Sequence, residues 1–351
     1  MAYTTINKST DYFNTKLYTG TGSQLAVTGV GFQPDFIWFK NRGTTNSHGL
    51  QDVVRGFNTT GIQSTNGTDA DPSFNGSTLG YVSAAGSDGF TVEAGNCANA
   101  SGNTYVSWNW KAGGTASSNT NGSITSTVSA NTTSGFSIVK WTGNSSASAT
   151  VGHGLGTTPA VIISKELNGT DYWHLYHKDL STNHNLFLNV TNAESNPADG
   201  TLANVGSSTF GFQGSTNVIA VNESGIDNIG YCFVEKTGYS KFGSYTGNGN
   251  ADGTFVYTGF KPAFLILKRT DSTSQWKIID NKRLGYNPSN SDLYADSSEV
   301  ENATTQIDLL SNGFKIKATS ATLNGSGGSY IYMAFAEAPL VGSNGVTAKA
   351  R

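Results

Sequence analysis

Charge is scarce in this chain. Only 13% of its 351 residues are Asp, Glu, Lys or Arg, roughly half of the ~25% usual in soluble domains. With a formal net charge of −3, there is no broad basic face to grip a nucleic-acid backbone. The two cysteines, Cys97 and Cys232, are too few for a disulfide framework and lack the paired spacing of a zinc site. No apolar run approaches the ~18 residues of a membrane-spanning helix. The opening residues Met1–Asn7 carry no basic start and no apolar stretch, which predicts no cleaved secretory signal. Helical patterning is nearly absent as well.

Glycine, by contrast, is abundant at 43 residues, and aromatics make up 11% of the chain. That aromatic content supplies a core and argues against disorder. The most informative feature is internal repetition. Phe32-Gln33-Pro34-Asp35-Phe36-Ile37-Trp38-Phe39-Lys40, Thr158-Pro159-Ala160-Val161-Ile162-Ile163-Ser164-Lys165 and Phe260-Lys261-Pro262-Ala263-Phe264-Leu265-Ile266-Leu267-Lys268 follow one plan. A proline, a short residue and four mostly apolar residues lead to a lysine. Upstream of each lies an aromatic followed by Thr-Gly: Tyr18-Thr19-Gly20, Trp141-Thr142-Gly143 and Tyr245-Thr246-Gly247. Downstream lie Val106–Trp110, Ile229–Phe233 and Ile331–Phe335. The prolines are 125 and 103 residues apart, and Trp108, Tyr231 and Met333 are 123 and 102 apart. A smaller marker, Asp88-Gly89-Phe90 and Asn312-Gly313-Phe314, precedes the last strand of its copy, with Thr209-Phe210 a looser match.

Short apolar runs bounded by turn residues suit buried strands, and the Gly/Ser/Thr/Asn tracts between them supply turns. The fold expected is all-β: three tandem related β-sandwich or jelly-roll modules with short terminal arms. The boundaries are an arm over 1–15, modules over 16–115, 116–238 and 239–340, and an arm over 341–351. Ala112–Ser134 reads as the connection between the first two modules, with an edge strand near Ser123–Val128. Trp38 and Trp110 read as core.

No catalytic, cofactor or metal residue emerges. His174 and His177 are three apart and diverge on an extended strand, and with His184 they read as structural or surface residues. His153 belongs to a turn. Asp69 with Asp71 and Glu299 with Glu301 are carboxylate pairs of the kind glycoside hydrolysis uses, but neither sits amid aromatics. Asn248–Gly253 has the first half of a calcium loop but Gly259 where a bidentate Glu is needed, so a turn is the better reading. The polar loops Asn58–Ser77 and Asn192–Ser208 are the places where a β scaffold would display binding specificity.

Lys16-Leu17-Tyr18-Thr19-Gly20, Val30–Lys40, Asp52-Val53-Val54-Arg55-Gly56, Tyr239–Gly249, Asp280-Asn281-Lys282-Arg283 and Tyr330–Glu337 together resemble an uncharacterised virion protein family of tailed phages of marine bacteria and cyanobacteria. The terminal Val346–Arg351 shares in the likeness. The resemblance implies a virion structural protein on the particle surface, as a tail fibre, spike or host-attachment appendage. Capsid decoration and a glycan-binding or polysaccharide-degrading module are the alternatives. It implies no catalytic residue, no cofactor and no nucleic acid or membrane partner. Its implied partners are other virion proteins, copies of itself as a trimer, and a host-surface glycan.

Overall fold

The computed structural model describes residues 4–71, 76–198, 200–214, 220–283, 287, 290–304 and 306–339. The fold is all-β. The first segment contributes β1 (Phe13–Thr19), β2 (Leu25–Thr28), β3 (Phe36–Asn41), β4 (Gly49–Asp52), β5 (Val82–Gly86), β6 (Gly89–Val92) and β7 (Thr104–Trp110). The second contributes β8 (Ser117–Asn119), β9 (Ser126–Asn131), β10 (Phe136–Thr142), β11 (Thr150–Gly152) and β12 (Val161–Glu166). It continues with β13 (His174–His177), β14 (Leu186–Phe187), β15 (Thr201–Ala203), β16 (Thr209–Gln213) and β17 (Asp227–Phe233). The third contributes β18 (Ser240–Thr246), β19 (Phe255–Tyr257), β20 (Phe260–Arg269), β21 (Lys277–Asp280) and β22 (Asn290–Tyr294). It ends with β23 (Asn302–Thr304), β24 (Ile307–Leu310), β25 (Gly313–Ile316) and β26 (Ser329–Pro339).

Strand order is the same in each segment. The larger sheets contain β1-β7-β3-β4, β10-β17-β12-β13 and β18-β26-β20-β21, all antiparallel. The smaller sheets are β2-β6-β5, β11-β16-β15 and β19-β25-β24. The second large sheet is extended by β9 and β8 on one edge and by β14 on the other, and the third by β22 and β23.

Alternation along the strands explains why the post-proline runs are apolar throughout. On β3, Ile37 and Phe39 pack with Val27, Val82, Phe90 and Val92 of the small sheet, while Phe36 and Trp38 point the other way. A strand covered on both faces needs apolar residues at both parities. The outer faces of the three large sheets meet in one core holding Phe13, Phe36, Trp108, Ile138, Tyr231, Phe264 and Ile266. At its centre the aligned residues Trp110, Phe233 and Phe335 form a triangle of rings. Their centroids are 6.5, 5.8 and 5.6 Å apart.

Three expectations are adjusted. Residues 13–15 of the expected N-terminal arm belong to β1, and Ile6 lies in the shared core. Residues 112–134 are less a linker than an edge, because β8 and β9 extend the second large sheet. Pro34 and Pro159 precede their strands, but Pro262 sits inside β20, at a register shift against β26 that absorbs its missing N–H. The arm expected over 341–351 lies outside the described residues.

Candidate functional site

The polar side chains that the fold concentrates lie along the seams between segments. Pairing registers place Gly49, His174 and Lys277 at equivalent positions. The residues just before them, His48, Trp173 and Trp276, each reach a backbone carbonyl of another segment. His48 Nε2 meets Tyr294 O at 2.9 Å, Trp173 Nε1 donates to Ser64 O at 2.8 Å, and Trp276 Nε1 donates to Phe187 O at 2.9 Å. First reaches third, second reaches first, third reaches second, and the cycle closes. The backbone N–H of the same three residues donates to Asn66, Asn189 and Asp296 Oδ1 respectively. The tautomer of His48 follows from its partners. Trp38 Nε1 donates to its Nδ1 at 2.9 Å, so Nε2 carries the proton given to Tyr294. Burial, reinforced by Lys40, holds this imidazole neutral far below its usual range.

A second set stands at the far end of the same three strands. Asp52, His177 and Asp280 are register equivalents, facing Phe36, Val161 and Phe264. Asp52 Oδ2 accepts from Tyr231 of the second segment at 2.8 Å and from Arg55 Nε at 2.6 Å. Asp280 Oδ2 accepts from Trp108 of the first at 2.9 Å and from Arg283 Nε at 2.6 Å. At the third seam the position of Trp108 and Tyr231 is filled by Met333, whose thioether side chain has no N–H or O–H to give. There the carboxylate is replaced by His177, whose Nε2 lies 3.4 Å from Tyr332 O, and the position of the arginine by Leu180. Acceptor, donor and arginine change together, which keeps the buried seam free of an unpaired charge.

The lysine that closes each post-proline run is the third set. Lys40, Lys165 and Lys268 are buried. Each donates to the carbonyl of the next residue: Asn41 O at 2.7 Å, Glu166 O at 2.6 Å and Arg269 O at 2.9 Å. Lys268 also donates to Thr191 O of the second segment at 3.0 Å. Burial pushes all three down to about 8.

The residues weighed in the sequence are spread across the fold. His174 and His177 diverge on β13: Leu175 on the His177 side joins the shared core, while His174 lies against Phe187 and 3.6 Å from Asp171. His184 sits 3.7 Å from Glu194. His153 is buried, its Nδ1 accepting from Leu155 N and its Nε2 against Gly206 O. Asp71 is held by Arg55 at 2.9 Å and by Gln63, whereas Asp69 is exposed. Glu301 takes a two-pronged contact from Arg42 at 2.8 Å and a third from Arg283, and Glu299 is exposed. In the calcium-like turn, Asn248 and Asn250 Oδ1 accept from Asn250 and Asp252 N, and Asp252 pairs with Lys315. Among the described residues no three His, Cys, Asp or Glu side chains converge as metal ligands. Both cysteines are buried and free, and burial raises their thiols to about 11 for Cys97 and about 12 for Cys232.

Each of the two polar loops touches a neighbouring segment at points along its described length. In Asn58–Ser77, Ser64 O receives Trp173, Thr65 Oγ1 donates to Ala295 O at 3.0 Å and Asp71 N donates to Leu167 O at 2.8 Å. In Asn192–Ser208, Glu194 N donates to Thr270 O at 2.9 Å, and Thr201–Ala203 is the buried strand β15. Trp173 and Trp276 are both buried donors at seams.

The seam residues escape sequence comparison because equivalent positions carry different chemistry. One clasp is an imidazole and two are indoles. The signal available was register: each stands one residue before the strand that follows the lysine. No curated protein and no solved structure matches the chain. A match to DUF7483, a domain of unknown function, runs over residues 8–339 and so spans all three segments. The chain belongs to the DUF7483 family.

Proposed function

We propose that this chain is a structural protein of a virus particle, displayed on its surface as part of a tail fibre, spike or host-attachment appendage. In this reading it is three copies of one β-sandwich module closed about a common axis. The observation that carries the reading is the triangle of Trp110, Phe233 and Phe335, the same aligned position of each copy meeting at one point. The clasps of His48, Trp173 and Trp276 close the same cycle at its periphery. Such a body ties His48, Trp173, Trp276 and its buried lysines into structural bonds and hides both thiols, which suits a protein that must persist outside a cell without repair. The likeness of Val30–Lys40 and Tyr330–Glu337 to a phage virion family supplies the setting. That likeness implies a homotrimer. A chain with three matched copies already carries a threefold arrangement, and sedimentation distinguishes one copy from three.

The test is a cryo-EM reconstruction, with mass spectrometry, of particles made by the virus that encodes the chain. The reading expects the chain in density at a tail, fibre or spike position. Its absence from purified particles overturns the reading, and many copies across capsomer junctions assign shell reinforcement instead.

A further inference from the structure

One exposed place sets the third segment apart from the other two. On β19, Val256 points into the core of the third segment, so Phe255 and Tyr257 point outward; they are 44% and 55% exposed. Neither ring touches another aromatic among the described residues. Two residues apart on one strand face, the rings stand about 7 Å apart. The register equivalents in the first segment are Ala26 and Thr28, and in the second Thr150 and Gly152. The framework is thus built twice without aromatics at these positions, and burial does not account for them here.

We infer that this face of the third segment binds a neutral glycan, its sugar rings stacking on Phe255 and Tyr257. The exposed ring surface amounts to roughly 200 Å², taking 150–250 Å² for a whole aromatic side chain. That is far below the ~800 Å² each partner gives to a stable protein interface. Tyr257 lies opposite Gly313, which carries no side chain to cover its ring. Lys315, opposite Phe255, pairs with Asp252 and faces Asp308 on the next strand. With Lys317 nearby, two lysines stand against two aspartates. A rim of balanced charge offers donors and acceptors to hydroxyl groups and gives no preference for an anionic sugar. An aromatic face with a polar rim matches the C–H face and hydroxyl edge of a hexose.

The inference rests on the surface-protein reading only for where the glycan comes from, a host cell envelope. Saturation-transfer NMR on the full chain with maltohexaose, cellohexaose, laminarihexaose and mannohexaose tests it directly. At least one probe is expected to give a signal at millimolar concentration, lost at least tenfold in the Phe255→Ala/Tyr257→Ala variant. The melting temperature of that variant should match the parent, because both rings are exposed. No signal from any of the four overturns the site, as does a signal the variant retains. Concentration-dependent self-association abolished by the same variant, without glycan binding, assigns the face to a second copy and also overturns it. Glycan binding by a chain absent from particles keeps the site and removes the virion reading, so the two failures are separable.

Discussion

A lysine ammonium in the interior is costly unless its donors are satisfied. Lys40, Lys165 and Lys268 meet that demand with carbonyl oxygens rather than carboxylates, so each keeps its hydrogen bonds but gains little charge compensation. Their drop to about 8 reflects this. In the unfolded chain a lysine titrates near 10.4. Between about pH 8 and 10.4 the folded chain has therefore released protons that the unfolded chain still holds, and stability contributed by these residues rises with pH across that window. Buried Cys97 and Cys232 act in the opposite sense above about pH 8.5, so the lysine contribution is read as a difference. Wild type should gain on Lys268→Met by about 1–3 kcal/mol between pH 7 and 10. Urea unfolding of both proteins across that range checks it, and a constant difference would show that the ammonium is not desolvated. The recurrence of the lysines was visible in the sequence. Their burial was not, because nothing along the chain says which carbonyls will surround them.

At the scale of elements, the Thr-Gly that ends β1, β10 and β18 has a steric cause. A Cβ on Gly20, Gly143 or Gly247 would lie inside contact distance of the carbonyl oxygens of Ala100, Glu223 and Gly325. In each case that carbonyl follows a fully buried asparagine, Asn99, Asn222 or Asn324. The asparagine fastens the turn after the glycine: Asn222 Nδ2 donates to Ser146 O at 3.1 Å, and Asn324 Nδ2 to Asn250 O at 2.7 Å. The glycine was legible from its repeated spacing. The asparagine was not, since loops of unequal length precede it and the sequence is rich in Asn everywhere. Gly143→Ala should lose about 2 kcal/mol or more, because backbone rather than a flexible side chain must yield. Gly156→Ala, at a positive φ of 66° with open space around it, should lose only about 1 kcal/mol. Chemical denaturation of the two variants separates steric from conformational cost, and equal losses would refute the close approach. The strand runs, their double-sided burial and the all-β class were legible from period and composition. The inner proline of β20 was not, because a bulge leaves no signature in a single run.

For the whole molecule, the decisive property is that each segment has its own small core and also gives one sheet face to a shared one. Phe36, Trp38, Trp108 and Trp110 of the first segment belong to the shared core, where Phe36 meets Tyr231 of the second and Trp108 meets Phe264 of the third. Buried aromatics of this size lose about 3–5 kcal/mol each when truncated in a packed core, so no segment can leave the assembly cheaply. The polar loops that the sequence offered as display surfaces contribute some contacts to this closure while keeping exposed residues such as Asn58–Thr60, Ser207 and Ser208. A loop rich in Ser, Asn and Thr has the same composition whether it faces solvent or another segment's carbonyls, and only the fold separates the two. The exposed aromatic pair on β19 was equally hidden, since alternation along a three-residue strand is too short to read.

The account rests on the three segments unfolding as one body, although each contains two sheets and a small core of its own. Differential scanning calorimetry of the full chain measures this most directly. The account predicts one transition whose calorimetric and van't Hoff enthalpies agree, a ratio of about 1. Two or three resolved transitions, or a single transition with a ratio of about 2 to 3, would contradict it and reduce the shared core to a contact between separate domains.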